Sequence, residues 1–144
     1  MEQSSKSIII FGLLILLALN AAVWFFILSE NNLSKIDFLD VVQGDASLIS
    51  FRNSGKMMID AGPDRSVLSE LGSSLDFFGR KIDVLILSHA NLDHYGGFFE
   101  IIERYHPRVF VYNGADSTSE TFQNLMNLIK SNGVAVVALG AGDK

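Results

Sequence analysis

From Ile8 to Leu28 the chain is apolar without a charge, with Asn20 the one strongly polar residue inside the run. About 20 such residues span a bilayer core as a helix, and a run apolar on every face lacks the single stripe of a helix that packs on a soluble core. Trp24, Phe25 and Phe26 fall toward its far end, where aromatic rings favour the membrane interface. The pattern predicts a short cytoplasmic stretch, 1–7, and an uncleaved transmembrane anchor, 8–28. A cleaved signal peptide is the rival reading. Ala18-Leu19-Asn20-Ala21 has a small-residue cleavage pattern, but the apolar run continues well beyond it. Lys6 precedes the span and Lys35 is the first basic residue after it, so the positive-inside tendency puts the N-terminus in the cytoplasm and the rest outside a single-pass cell-membrane protein.

After a polar linker, 29–34, the rhythm changes. Ile36 to Val41 and Ser47 to Phe51 read as strands, joined by a turn at Gln43-Gly44-Asp45; Asn53-Ser54-Gly55 turns the chain toward a third strand at Met57-Met58-Ile59. Val67, Leu68, Leu71 and Leu75 then recur at helical spacing over 66–75. From there strands and helices alternate. Ile82 to Leu87 is nearly all apolar, as in a strand covered on both faces, and Phe98, Ile101, Ile102 and Tyr105 mark a helix over 97–105. Val109 to Tyr112 is the next strand. Ser117 and Glu120 have capping-box spacing ahead of a helix bearing Phe122, Leu125, Met126 and Ile129, which Gly133 closes before a last strand, Val134 to Leu139.

Composition narrows the chemistry. With 144 residues the chain has room for one globular domain. The absence of Cys removes disulfides, thiolate zinc ligands and thiol catalysis. A formal charge of −5 argues against nonspecific gripping of phosphate backbones by the whole domain. It leaves open a phosphodiester substrate met by bound metal.

Candidate chemistry concentrates in Ser88-His89-Ala90-Asn91-Leu92-Asp93-His94, followed by Tyr95-Gly96-Gly97. Two imidazoles, a carboxylate and an amide at the end of an apolar strand deliver several ligand atoms from one loop. Zinc and manganese accept such donors and activate water near neutral pH. Taken singly, His89 could cap a helix, Asp93 could sit on a helix dipole and His94 could be a packed core imidazole. Those separate roles leave the clustering unexplained.

The segment resembles the H-x-H-x-D-H signature of the metallo-β-lactamase fold, in the H-x-D-x-D-H-x-G-G form of ComEC-type competence proteins. Phe38-Leu39-Asp40-Val41-Val42-Gln43-Gly44-Asp45-Ala46 resembles that branch's F-L-D-V-G-Q-G-D-A, and Lys56-Met57-Met58-Ile59-Asp60-Ala61-Gly62-Pro63 its L-I-D-A-G-P. The resemblance covers residues 35–144 and the first half of the family's domain. It implies an α/β (α+β) fold, the first half of a four-layer αββα sandwich, here preceded by one transmembrane helix. The chain then reads as a fragment, or as a half that self-associates to cover its open sheet face.

The resemblance also implies roles. His89 is a first-site metal ligand, Asp93 and His94 serve a second site, and Asp93 is the catalytic residue that takes or orients a proton of the attacking water. Asp60 supports the ligands by hydrogen bonds, while its place before Gly62 and Pro63 reads equally as that of a turn-forming Asp. Asn91 stands where this branch has Asp and most of the superfamily has His; its amide either ligates weakly or bonds the turn backbone. Val42 replaces a usual Gly, Gly44 and Asp45 shape a turn, and His106 reads as a surface residue. The cofactor expected is a pair of divalent ions, zinc first and manganese second. The function implied is a membrane-anchored metal-dependent hydrolase acting on a phosphodiester or ester-type bond, with membrane lipid and nucleic acid as partners, as in DNA uptake during competence. The alternative is a non-catalytic fragment or degenerate metal-binding module, and the 144-residue chain alone is expected to be nearly inactive.

Overall fold

The alternating and helical patterns fold into eleven elements in the computed structural model, which describes residues 2–29, 34–52, 55–75, 79, 81–115 and 117–143. Most of the expected linker, 30–33, and two residues of the expected turn, Asn53 and Ser54, lie outside the described residues. The chain divides into two compact units, 1–33 and 34–144.

The first unit is helix α1, Glu2–Ser29. Its segment Lys6–Leu28 is long and apolar enough to cross a membrane and is exposed along its whole length.

The second unit is built on a sheet of strands β1 (Lys35–Phe38), β2 (Ala46–Phe51), β3 (Gly55–Ala61), β4 (Val84–Ile86), β5 (Val109–Tyr112) and β6 (Ala135–Ala138), paired in that order. β1, β2 and β3 form an antiparallel meander, and β3 to β6 run parallel. The switch has a simple cause. Short polar turns return the chain at once, whereas a helix between successive strands restores their direction. Those crossovers carry α2 (Val67–Ser74), then α3 (Leu92–Tyr95) with α4 (Phe98–Tyr105), and α5 (Glu120–Ser131). The chain is thus a mixed α/β fold with a six-stranded sheet and an N-terminal apolar helix, as the pattern implied.

Alternate strand residues Leu48, Met58, Leu85 and Phe110 are fully buried, in one core with Val67, Leu71, Phe98, Ile101, Phe122 and Leu125 of the helices. Phe98 meets Phe110 edge-on at 5.9 Å, and Tyr95 meets Phe122 at 5.4 Å. Their neighbours along the strands, Ile49, Ile59, Ile86 and Val111, face the other way and are half-buried, while Ile36, Phe38 and Val137 on that face are exposed. Helices therefore cover one face of the sheet. Ile82–Leu87 was expected to be covered on both faces; within this unit only Ile82, Leu85 and Leu87 are buried, and β4 itself is Val84–Ile86.

Two local expectations need correction. Ser117 and Glu120 do not form a capping box. The helix starts at Glu120 with Ser119 at its N-cap, and the Ser117 hydroxyl instead accepts the Ser119 N–H at 3.2 Å. The Ser119 hydroxyl makes no cap hydrogen bond of its own. The expected first strand, Ile36 to Val41, stops at Phe38 because the chain leaves the ladder for a tight turn. The Val42 N–H donates to Asp40 Oδ1 at 3.1 Å and the Gln43 N–H to Val41 O at 2.7 Å, which places Val42 at φ +67°. A β-branched residue there costs about 1–2 kcal/mol relative to glycine.

The helix stop at Gly133 is as expected. The Val134 N–H donates to Ile129 O and the Gly133 N–H to Lys130 O, both at 3.1 Å, with Gly133 at φ +70°. This is the double bond pattern that closes a helix through a left-handed glycine.

The amino ends of the central strands are tied by one carboxylate. Asp83 Oδ2 accepts the Lys56 N–H at 3.1 Å; its main chain bonds Lys56 O at 2.8 Å and the Arg108 N–H at 2.9 Å. The bond from Lys56 N–H, with the Lys81 and Arg108 cations nearby, holds the Asp83 carboxyl below the usual carboxylate range.

Candidate metal centre

The three sequence motifs meet at the carboxyl ends of β3 and β4, the edge of a parallel sheet where ligands characteristically bind. Main chain contacts main chain here. The Gly62 N–H donates to Asp45 O at 3.0 Å and the Gly97 N–H to Gly62 O at 3.1 Å. A β-carbon on Gly44 would overlap the Asp93 carbonyl, one on Gly96 the Pro63 carbonyl, and one on Gly97 the Ala61 carbonyl. Gly44 also has φ +76°. The turn at 42–45, the segment 60–63 and the loop 88–97 are thereby pressed together without side chains between them.

Asp60 is the buried centre of this junction, only 3% exposed and at φ +55°, a conformation that Asp tolerates better than most residues. Its Oδ1 accepts the Ser88 N–H at 2.8 Å. Its Oδ2 accepts the Ser88 hydroxyl at 2.6 Å and faces His94 Nδ1 at 2.9 Å. The same hydroxyl lies 3.0 Å from His89 Nδ1.

For an ionised Asp60 and two neutral imidazoles, proton bookkeeping sets both rings. A carboxylate offers only acceptors, so His94 Nδ1 and the Ser88 hydroxyl must both donate to Asp60. The hydroxyl has then spent its single proton and can only accept from His89 Nδ1. Each neutral imidazole carries one N–H, so both Nε2 atoms keep a free lone pair. The two rings lie side by side, with centroids 3.9 Å apart at 52°.

The other candidate residues surround this pair. Asp93 Oδ1 stands 3.9 Å from His94 Nε2, and Asp45 Oδ2 4.0 Å from His94 Nδ1. Asp93 and His94 lie on α3, a single turn that the loop reading did not anticipate. Asn91 is the N-cap of that turn, exposed, and its side chain makes no cap hydrogen bond. The turn is held by its main chain instead: Asn91 O accepts the His94 N–H at 3.0 Å, and the Asn91 N–H donates to His89 O at 2.9 Å. His106 is the exposed left-handed C-cap of α4, at φ +47°.

Ser88 is the residue that motif reading overlooked, since a serine beside a histidine carries no spacing signal. Its position, directly after an apolar strand and directly before the first imidazole, was the available clue. The closeness of Asp45 to His94 had no local sign at all.

Imidazole nitrogen and carboxylate oxygen are the donors that zinc and manganese accept, so the chemistry of the set fits a divalent ion. Among the described residues no three His, Asp or Glu side chains converge on one point. The loop presents an open, one-sided array rather than a closed cage.

The sequence profile of the metallo-β-lactamase superfamily matches residues 39–126, more than half of the chain, and the chain belongs to that superfamily. Its members usually bind divalent metals, and the fold is that of a family of metal-dependent hydrolases. Among solved structures the chain is similar to a rubredoxin oxygen:oxidoreductase from the anaerobe Desulfovibrio gigas, at 18% identity and a TM-score of 0.49, with 77% of this chain and 32% of that one covered. It is similar also to a metallo-β-lactamase with a HARLDQ motif from Cronobacter sakazakii, at 18% identity and a TM-score of 0.49, covering 75% and 43%. The chain spans less than half the length of either structure. No curated protein matches the sequence.

Proposed function

We propose that this chain is a membrane-anchored, ComEC-like member of the superfamily whose loop 89–94 binds divalent metal for hydrolysis of a phosphodiester or related ester. The observation that supports the reading is the Asp60–Ser88 network, whose bonds to the Nδ1 atoms would leave Nε2 of both His89 and His94 free to meet a metal. His89 and His94 would hold the metal with Asp93, and Asn91 would add at most a weak amide oxygen. A bound divalent ion would polarise an ester oxygen and ease deprotonation of water. Asp60 bonds His94 directly and reaches His89 through Ser88, and Asp93, 3.9 Å from His94 Nε2, would accept a proton from such a water. Zinc, with manganese second, matches this donor set, and nucleic acid is the substrate class that the motif order favours.

Zinc and manganese titrations of the chain, followed by calorimetry, test this directly. The His89→Ala/His94→Ala double variant is expected to bind at least 100-fold more weakly than the parent, because both nitrogen donors go at once. Equal uptake by the two proteins would refute the assignment. The open donor array favours a second reading, a metal-binding module without turnover. Metal-dependent cleavage of a bis-nitrophenyl phosphate separates the two.

We also propose that α1 anchors the chain with the N-terminus in the cytoplasm and the second unit outside, which Lys6 before the span supports. Protease added to intact cells is then expected to digest the second unit. Its survival until the membrane is permeabilised would reverse the orientation.

A further inference from the structure

Asn20 lies within the segment Lys6–Leu28, three residues beyond its midpoint and so about 4.5 Å along the axis. That depth is well inside a hydrocarbon core about 30 Å thick. An amide there has two donors and an acceptor that lipid cannot satisfy. Ile9, Leu13, Leu16, Asn20, Val23 and Ile27 fall at alternating spacings of four and three, the seam of a two-stranded coiled coil, and Asn20 occupies an a-type position of that seam. A shallow groove on this side of α1 is lined by Ile10, Leu13, Leu14, Leu16, Leu17 and Asn20, the kind of hole that receives a knob from a facing helix. The segment Lys6–Leu28, which carries this groove, is exposed along its whole length.

We propose that α1 pairs in the membrane with α1 of a second copy of this chain, in parallel, with the two Asn20 amides bonded to each other. The inference rests on the anchor reading of α1. A second copy is the occupant because all copies enter a membrane with one orientation, which brings Asn20 of each to the same depth. An amide is its own complement, since the carbonyl of one accepts from the NH2 of the other. A leucine or valine seam alone would gain little in lipid, where tails are as apolar as the side chains. The amide pair supplies the net attraction and sets the register.

The chain has no cysteine, which makes single-cysteine cross-linking clean. Full-length chain carrying Val23→Cys, on the seam, is oxidised in bacterial inner-membrane vesicles beside Phe25→Cys, off it. Disulfide dimers are expected at position 23 and not at 25. Adding Asn20→Leu is expected to weaken dimerisation roughly three- to thirtyfold, and Asn20→Gln, which keeps the amide, to retain most of it. Alkaline carbonate extraction of the same vesicles reads the anchor separately. Release by carbonate would overturn the anchor and this inference together. Retention with equal cross-linking at both positions, with none at position 23, or with no effect of Asn20→Leu would overturn the inference alone.

Discussion

Gly96→Ala is expected to cost more than about 4 kcal/mol of folding stability, enough to leave a domain of ordinary stability largely unfolded. Gly96 has a helical backbone at φ −57°, so the loss comes from space and not from torsional strain. The added methyl would overlap the carbonyl of Pro63, a main-chain atom that cannot rotate aside. Relief would require separating 60–63 from 96–97, which breaks the bond from the Gly97 N–H to Gly62 O. Gly72 in α2 is the control, because it is exposed and a β-carbon there meets nothing within 4 Å. Gly72→Ala should gain about 0.5–1 kcal/mol from helix propensity. Urea unfolding of both variants, followed by circular dichroism, measures the contrast. A Gly96→Ala protein as stable as the parent would mean that the two segments are not in main-chain contact.

Asp60→Asn should separate the fold from the site. Asn keeps the shape and tolerates the left-handed backbone, but it presents an NH2 where one carboxylate oxygen stood. That group cannot accept from both the Ser88 hydroxyl and His94 Nδ1. With the NH2 on that side, His94 is driven to the tautomer with Nδ1 as acceptor and the proton on Nε2, which removes the lone pair proposed to meet the metal. The expected loss is about 10–100-fold in metal affinity and about 1–3 kcal/mol in stability. Nitrogen NMR of the imidazoles in metal-free protein reads the tautomer, and calorimetry the affinity. An unchanged His94 tautomer with unchanged affinity would remove Asp60 from the account of the site.

The strand and helix order was legible because it rests on local periodicity. Val109–Tyr112 coincides with its apolar run, and the stop at Gly133 follows from glycine's access to positive φ. What could not be read is which segment a given main chain rests against. Gly44 looked like an ordinary turn residue, yet it is the point at which the turn rests on Asp93. The single turn of α3 escaped because Leu92–Tyr95 is too short for a helical period to show. Ser117 and Glu120 have capping-box spacing, yet the helix starts one residue after Ser119, which lacks that spacing. At the site, the clustering of His89, Asp93 and His94 was visible as composition. The tautomers were not, since they depend on Asp60 and Ser88, 28 residues apart in the chain.

The Asp83 tie has a thermodynamic consequence. Asp83 and His89 stand near opposite ends of the β4 segment, roughly 15–20 Å apart at the rise of an extended chain. Among the described residues they share no hydrogen-bond partner. Free-energy changes at sites so separated are additive to within a few tenths of a kcal/mol. Substitutions in the loop 88–94 can therefore change what the loop presents without altering how the strands choose their neighbours. Substitutions at the tie can tune how long the fold survives without disturbing the loop. The domain can thus vary its chemistry and its durability as two independent quantities.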